Sequence, residues 1–202
     1  MARYGMSIDM ERCVGCQACL VACKMENEVP EGYHRLRMRE TVVGDFPTLQ
    51  GEFRLEQCYH CENAPCVGVC PTGATFKNED GLVLVNPEMC SGCKACVTAC
   101  PYNMRYAHPN GYIDKCTFCN HRVAEGQDPA CVETCPTGAR AFGDLDDPAS
   151  PVNQAIADAG ESDVLKPQTG AEPNLFYLNS KFINGETERT PFSILSLFKR
   201  SH

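Results

Sequence analysis

Tryptophan is absent from the 202 residues, and so are long apolar runs and clusters of basic residues. No apolar stretch approaches the roughly 20 residues that a membrane-spanning helix needs. The formal net charge is −8 and no run of Lys or Arg exceeds two residues, so the electrostatic pattern of a nucleic-acid-binding protein is missing. A phosphate-binding glycine loop and a nucleophile motif are also missing. The sequence therefore predicts no nucleic-acid partner, no catalytic residues and no small-molecule substrate of its own.

The amino-terminal segment Met1–Asp9 lacks the apolar core of a secretory signal, and it has no twin-arginine pair. We therefore expect a protein that is cytoplasmic, or one that is exported while bound to a partner that carries the signal.

Cysteine is the abundant residue, with 16 copies in four compact groups of four. Group 1 is Cys13, Cys16, Cys19 and Cys23; group 2 is Cys58, Cys61, Cys66 and Cys70; group 3 is Cys90, Cys93, Cys96 and Cys100; group 4 is Cys116, Cys119, Cys131 and Cys135. Groups 1 and 3 share the spacing C-x2-C-x2-C-x3-C, and the middle gap is wider in group 2 and longest in group 4. Cysteines so close together fit a shared metal centre better than relaxed disulfides.

This spacing is typical of bacterial ferredoxins, whose cysteines bind [4Fe–4S] clusters. Three thiolates hold one corner of a cluster, and we expect the fourth cysteine to start a short helix that points toward the neighbouring cluster. Pro71, Pro101 and Pro136 follow the fourth cysteine and suit a first helical position. Gly15 and Gly92 fit places where the backbone approaches a cluster closely. We predict four [4Fe–4S] clusters; a zinc-binding module is the alternative for a lone C-x2-C pair.

Internal repeats relate group 1 to group 3 and group 2 to group 4. The segment 13–23 resembles 90–100, and Cys-Pro-Thr-Gly-Ala occurs at both 70–74 and 135–139. If each two-cluster unit contains one group of each type, the two units are either 1+2 and 3+4, or 2+3 and 1+4. Residues 74–86 have the pattern of a strand, an Asp-Gly turn and a strand. A hairpin there favours 2+3 with 1+4, although residues 104–115 could form a second hairpin.

Under that pairing, each cluster takes three cysteines from one group and the last cysteine of the partner group. We name each site after the group that supplies three ligands. The group-1 site is Cys13, Cys16, Cys19 and Cys135; the group-4 site is Cys116, Cys119, Cys131 and Cys23; the group-2 site is Cys58, Cys61, Cys66 and Cys100; the group-3 site is Cys90, Cys93, Cys96 and Cys70.

The predicted fold class is α+β, with two bacterial-ferredoxin-like two-cluster units that contain short β-hairpins and helices, plus a carboxy-terminal extension. The unit of groups 1 and 4 comprises residues 1–24 and 103–143, and the unit of groups 2 and 3 comprises residues 58–102. Residues 25–57 are a linker with β-strands, and residues 144–202 are a docking extension.

Within the linker, residues 35–39 and 52–56 alternate between polar and apolar, as strands do. In the extension, Ser150-Pro151 predicts a helix start and residues 175–178 predict a strand. Residues 191–200 form an apolar tail with a basic end, which suits docking on a membrane subunit or a bilayer surface.

Two histidines, His60 and His121, lie beside cysteines, but each group already has four thiols. We predict that they are hydrogen-bond donors near the clusters or surface residues, and not ligands. The 11-residue gap between Cys119 and Cys131 is predicted to be a loop.

Residues 4–178 resemble the four-cluster iron–sulfur subunit of molybdopterin oxidoreductases of the dimethyl-sulfoxide-reductase family, and are most like polysulfide and thiosulfate reductases. The segments that carry the resemblance are 13–19, 22–30, 61–66, 115–119, 129–136 and 142–148. The resemblance implies the pairing of group 1 with group 4 and of group 2 with group 3. It also implies that the group-1 site faces the molybdenum subunit and that the group-3 site lies nearest the membrane subunit.

The function implied is a non-catalytic electron-transfer subunit between an integral membrane quinol-binding subunit and a molybdopterin catalytic subunit. Polysulfide, thiosulfate or tetrathionate is the expected substrate, with dimethyl sulfoxide, arsenic species, nitrite or formate as alternatives. Export with a twin-arginine partner would place the chain on the periplasmic face of the inner membrane, with the cytoplasmic face as the alternative. A free soluble polyferredoxin is the competing function, but the roughly 60 residues after Phe142 favour docking surfaces.

Overall fold

The computed structural model describes residues 2–183. Its strands are β1 (Tyr4–Asp9), β2 (Arg37–Val43), β3 (Gln50–Glu56), β4 (Thr75–Lys77), β5 (Val83–Val85), β6 (Tyr106–Ala107), β7 (Ile113–Asp114), β8 (Arg140–Asp144), β9 (Ser162–Asp163) and β10 (Leu175–Leu178). Its helices are α1 (Ala18–Glu26), α2 (Pro65–Gly68), α3 (Ala95–Thr98), α4 (Asn120–Val123), α5 (Ala130–Glu133) and α6 (Pro151–Asp158), with a 3-10 turn at Pro167–Thr169. This mixture of short helices and strands agrees with the predicted α+β class. None of these helices is long and apolar enough to cross a membrane.

A four-stranded mixed sheet has the order β8-β1-β10-β9. β1 pairs antiparallel with β8, with Met6 opposite Phe142, and parallel with β10, with Ile8 opposite Tyr177. Met6, Ile8, Leu175 and Tyr177 are fully buried, and burial of such side chains stabilises a fold by about 1.5–3 kcal/mol each. Helix α6 packs on β8 and β1. The strand before group 1, the strand after group 4 and a strand of the extension thus share one core.

The helix and the strand predicted in the extension are confirmed. Ser150 Oγ accepts a hydrogen bond from the Asn153 N–H at 3.4 Å, and Pro151 begins α6. β10 has the predicted bounds. The predicted apolar tail at 191–200 lies outside the described residues.

Three hairpins connect the cysteine groups. β2–β3 precedes group 2 and confirms the alternating pattern of the linker. β4–β5 joins group 2 to group 3, where Asn78 Oδ1 accepts a hydrogen bond from the Leu82 N–H at 2.8 Å. β6–β7 joins group 3 to group 4. Because both of the last two are present, hairpins alone do not choose between the two pairings.

The prediction that the fourth cysteine starts a helix is wrong. Helices α2, α3 and α5 each contain the third cysteine and end before the fourth. After the fourth cysteine the chain makes a turn: the Gly73 N–H bonds the Cys70 carbonyl at 3.3 Å and the Gly138 N–H bonds the Cys135 carbonyl at 3.2 Å. Proline occupies the second position of these turns, which its fixed φ also suits.

The prediction of a loop between Cys119 and Cys131 is also wrong in part, because α4 begins directly after Cys119. The Arg122 N–H bonds the Cys119 carbonyl at 2.8 Å, and the Arg122 side chain donates to the Asp128 carbonyl at 2.9 Å. A helix of four residues is too short to produce a readable hydrophobic period.

Candidate iron–sulfur cluster sites

Strand pairing determines that group 1 meets group 4. β1 ends at Asp9, just before group 1, and β8 begins at Arg140, just after group 4. Ile8 lies opposite Arg140 in this antiparallel pair, so both cysteine loops extend from the same end of the sheet. Helices α1 and α5, which carry thiols of groups 1 and 4, pack against each other.

Hairpin β4–β5 returns the chain so that group 3 meets group 2. Helices α2 and α3 pack against each other. Cys66 and Cys96 belong to one buried apolar cluster with Val83 and Ile113. The structure thus places group 2 beside group 3, whereas the ligation of iron by these thiols stays a prediction.

The four thiols predicted for the group-1 site line one open cavity of about 360 Å³. They are Cys13, Cys16, Cys19 and Cys135. Met38 and Leu55, which lie opposite each other in β2–β3, form part of the wall. Arg140 is also part of the lining. The linker hairpin therefore shields one side of this cavity with apolar side chains.

The four thiols predicted for the group-4 site line a second cavity, of about 250 Å³. They are Cys23, Cys116, Cys119 and Cys131. Asn27 Nδ2 donates to Cys23 Sγ at 3.8 Å and to Cys119 Sγ at 3.7 Å. Arg35 lines the cavity too, but the Asp114 carboxylate accepts two hydrogen bonds from it at 2.8 and 2.9 Å. This cavity therefore contains a neutralised ion pair.

The thiols predicted for the group-2 site also lie together. Cys58, Cys61 and Cys66 are buried, and Cys100 is partly buried. Burial raises the pKa of the Cys61 thiol, and the nearby thiols of the other three cysteines raise it further. Four neighbouring thiolates repel one another, so they require a positive centre between them.

Among the thiols predicted for the group-3 site, Cys96 is buried and Cys90 packs against its cluster. Cys70 lies in the turn after α2, where its Sγ accepts a hydrogen bond from the Thr75 N–H at 3.3 Å. Although burial acts in the opposite direction, hydrogen bonds from Thr75 and Thr72 lower the pKa of Cys70 to about 7. Membership of Cys70 in this site stays a prediction from spacing and resemblance.

Exposure divides the four sites into two kinds. Cys16 of the group-1 site and Cys93 of the group-3 site are exposed. All four thiols of the group-4 site are buried, and in the group-2 site only Cys100 is partly accessible. Two sites therefore reach the surface and two are interior.

The residue before the second cysteine has a left-handed backbone in all four groups. It is Gly15 (φ 67) in group 1, His60 (φ 43) in group 2, Gly92 (φ 66) in group 3 and Phe118 (φ 52) in group 4. The sequence analysis explained Gly15 and Gly92 by close approach of the backbone to a cluster. The structure gives two further reasons: the positive φ, and tight packing of Gly15 under the Phe53 ring.

His60 and Phe118 meet at the seam between the two units. Their rings stack with centroids 3.9 Å apart. His60 Nδ1 accepts a hydrogen bond from the Val83 N–H at 3.1 Å, so Nε2 carries the proton and donates to the Cys116 carbonyl at 3.2 Å. Burial, reinforced by the Lys115 charge, lowers the pKa of His60 well below its ordinary value, and the ring is neutral.

The other histidine, His121, is an exposed partner of Glu26, with Nε2 and Oε1 2.7 Å apart. His60 is thus a buried hydrogen-bond donor near the cysteines and His121 is a surface residue. Both positions agree with the two roles predicted for them.

Three buried cations near the thiols were missed by the sequence analysis: Arg105, Lys115 and Arg140. Lys115 Nζ donates to the Cys116 carbonyl at 2.7 Å and to the Val83 carbonyl. The two arginines follow the fourth cysteine of groups 3 and 4 by the same number of residues, a regularity that alignment of these two groups at their fourth cysteine could have found.

The residues present fit iron–sulfur clusters. Burial raises the pKa of six of the thiols: Cys19, Cys23, Cys61, Cys66, Cys116 and Cys131. Thiolates form at such positions when a cation binds them. Arg140 Nε and Nη1 are buried without a hydrogen-bond partner in the described part of the chain, which suits acceptors inside the thiol-lined cavity. Within residues 2–183, no three Cys, His, Asp or Glu side chains are placed to hold a single metal ion; the fit rests on sets of four thiols.

The cysteine-rich part of the chain is similar to known iron–sulfur proteins. Two models described as 4Fe–4S dicluster domains match residues 7–74 and 49–145. A polysulfide reductase chain of Wolinella succinogenes is 44% identical, over 89% of this chain and 95% of the relative. A tetrathionate reductase subunit of Salmonella typhimurium is 45% identical, over 87% and 72%. Protein NrfC of Escherichia coli is 45% identical, over 89% and 82%.

The fold and the sites define an iron–sulfur electron-transfer protein with two 4Fe–4S dicluster domains. The chain belongs to the family of iron–sulfur subunits that includes these relatives from polysulfide reductase and tetrathionate reductase.

Proposed function

We propose that this chain carries four [4Fe–4S] clusters in the four sites named above and relays electrons within a membrane-bound reductase. Its partners are a membrane subunit that oxidises quinol and a molybdopterin catalytic subunit. The clusters supply one-electron transfer. The protein positions them, excludes water from the two interior sites and presents the two outer sites to its partners.

A linear order of the sites is the observation that carries this proposal. Groups 1 and 4 adjoin where α1 packs on α5. Groups 4 and 2 adjoin at the seam, where the Phe118 ring stacks on the His60 ring. The group-2 and group-3 sites adjoin where α2 packs on α3. The order is therefore group 1, group 4, group 2, group 3, with an exposed thiol only at the two outer sites.

Such an order suits a relay with one partner at each end. The family resemblance supports a molybdopterin subunit at the group-1 site and a membrane subunit at the group-3 site. Relatives named for polysulfide, tetrathionate and thiosulfate reduction support a sulfur compound as the terminal acceptor. Dimethyl sulfoxide, nitrite, arsenic species and formate are the alternatives. We place the chain on the periplasmic face of the inner membrane, co-exported with its catalytic partner.

An anaerobic pull-down of this chain from its native membranes, with metal counting, tests the proposal. We expect molybdenum or tungsten to co-purify with about 16 irons per copy, four for each cluster. Assays of the complex on sulfur compounds and on the alternative acceptors would then identify the substrate. Iron at that level with no other subunit and no molybdenum or tungsten would leave a free polyferredoxin, and zinc in its place would refute the electron-transfer function.

A further inference from the structure

Two buried arginines lie near the thiol sites. Arg105 is the fifth residue after Cys100, and Arg140 is the fifth residue after Cys135. The exposed fractions of the two residues are 5% and 4%. The chain therefore buries one guanidinium group shortly after group 3 and one shortly after group 4, and each is charged at every pH where the protein is folded.

Arg105 lies between the group-2 and group-3 sites. Its Nη2 donates to Cys66 Sγ at 2.9 Å and its Nη1 donates to Thr75 Oγ1 at 3.2 Å. The thiols of Cys58, in the group-2 site, and Cys96, in the group-3 site, also favour its charged form electrostatically. Neither hydrogen-bond partner is a carboxylate, so in these contacts the cation faces the thiol sites without an acidic side chain.

Arg140 lies beside the group-1 site. It lines the group-1 cavity, and its charge opposes the effect of burial on the pKa of Cys131 in the group-4 site. Its Nη2 donates to Met6 Sδ at 2.9 Å and to Gln57 Oε1. Its Nε and Nη1 have no hydrogen-bond partner within residues 2–183. These two donors are free to bond acceptors that enter the cavity.

Arg35 provides the contrast. It also lines a thiol cavity, but the Asp114 carboxylate binds it through two hydrogen bonds. The ion pair has little net charge to exert on a neighbouring group. The uncompensated positive charge beside the sites is therefore that of Arg105 and Arg140, together with Lys115.

We propose that Arg105 and Arg140 are positioning residues that raise the reduction potentials of nearby clusters, most strongly at the group-2 site for Arg105 and at the group-1 site for Arg140. This inference rests on the proposed clusters. A cluster that accepts one electron gains one negative charge, with no bond made or broken. A fixed cation beside the cluster, such as Arg105 at hydrogen-bond distance from Cys66 Sγ or Arg140 in the wall of the group-1 cavity, stabilises the reduced form, and the buried setting weakens the screening of its charge.

The test is an anaerobic redox titration, followed by electron paramagnetic resonance, of the purified complex with either Arg105→Gln or Arg140→Gln. We expect Arg105→Gln to disfavour reduction of the group-2 cluster, and Arg140→Gln to disfavour reduction of the group-1 cluster, at least tenfold, which is about 59 mV for a one-electron couple. The other unit should keep its potentials. Arg105→Lys and Arg140→Lys keep the charge and should recover most of the shift. Arg3→Gln, which removes an exposed ion pair with Asp146, is the matched control and should change none of the cluster potentials.

A second measurement needs no variant. Wild-type complex grown with ¹⁵N-labelled arginine should show ¹⁵N couplings in pulsed resonance spectra of reduced clusters in both units. If Gln variants with full iron content keep wild-type potentials, or if the labelled wild type shows no coupling in either unit, the proposal is overturned. The two proposals can fail independently. Unchanged potentials in an intact complex would refute the role of the arginines but not the relay. Shifted potentials in a chain that has no partner would refute the relay but not the role of the arginines.

Discussion

Gly92 and Gly73 form a matched pair for testing how tightly the cysteine loops are packed. Both have a left-handed backbone, with φ of 66° and 68°. A Cβ atom at Gly92 would overlap the Gly111 carbonyl oxygen in the turn between β6 and β7, whereas a Cβ atom at Gly73 would meet nothing within 4 Å. Substitution of each by Ala therefore separates steric overlap from backbone strain.

The expected magnitudes follow from these two contacts. A left-handed Ala costs about 1–2 kcal/mol relative to an unstrained residue, and the stiffer unfolded chain offsets about 0.4–1 kcal/mol of that. Gly73→Ala should therefore destabilise by about 1 kcal/mol. At Gly92, displacement of the Gly111 backbone adds about 1–3 kcal/mol, as overpacking does elsewhere. The difference between the variants should be about 2 kcal/mol.

The assay is anaerobic urea unfolding of both iron-loaded variants, monitored by tyrosine fluorescence and by the visible absorption of the clusters. With an m-value of about 2 kcal/mol/M, Gly92→Ala should unfold at about 1 M less urea than Gly73→Ala. Iron content measured beforehand ensures that both variants start fully loaded. Equal unfolding midpoints would contradict the contact between the group-3 loop and the β6–β7 turn.

Three further results are expected. Cys70→Ser should damage the cluster held mainly by group 3 and spare the cluster held mainly by group 2; spectroscopy that shows the reverse loss would rule out the crossed ligand sets. Tyr177→Phe removes the hydroxyl that donates to the Leu55 carbonyl at 2.7 Å, so a buried acceptor is left unpaired and urea unfolding should show a loss of about 1–3 kcal/mol. An imidazole and a guanidinium hold the pKa of Glu26 below its ordinary value of 4.5. This stabilisation is present above that value and is lost as the pH falls through the lowered pKa, so Glu26→Gln should flatten the acid limb of a stability–pH profile.

Cysteine spacing predicted the four local groups of thiols because a C-x2-C run fixes local geometry within a few residues. The adjacency of groups 1 and 4 depends instead on the pairing of β1 with β8, across more than 130 residues. The repeats left that pairing open, the first predicted hairpin favoured it, and the family resemblance favoured it independently. Strand partners are chosen by burial of side chains such as Met6 and Phe142, which a local pattern does not encode.

The bounds of the short helices could not be predicted for a similar reason. Proline after the fourth cysteine is compatible with a helix start and with the second position of a turn. The choice between a helix and a turn depends on which carbonyl groups, earlier in the chain, accept hydrogen bonds from the N–H groups that follow the proline. In the structure the Gly73 and Gly138 amides reach back to the cysteine carbonyls, and the chain turns.

The position before the second cysteine shows how one repeated backbone conformation serves two purposes. In the outer groups it is Gly15 or Gly92, which adopt a positive φ at little energetic cost. In the interior groups it is His60 or Phe118, for which a left-handed backbone costs about 1–2 kcal/mol each. The stacked rings recover about 0.5–1.5 kcal/mol, and the two hydrogen bonds of His60 recover about 0.5–1.5 kcal/mol each.

These terms nearly cancel, so the aromatic pair is tolerated without adding much stability. What it does add is a fixed, buried contact at the boundary between groups 2 and 4, which the proposed relay crosses. The repeat predicts the strained backbone at this position. It does not predict the stacked pair, because that pair exists only once groups 2 and 4 face each other.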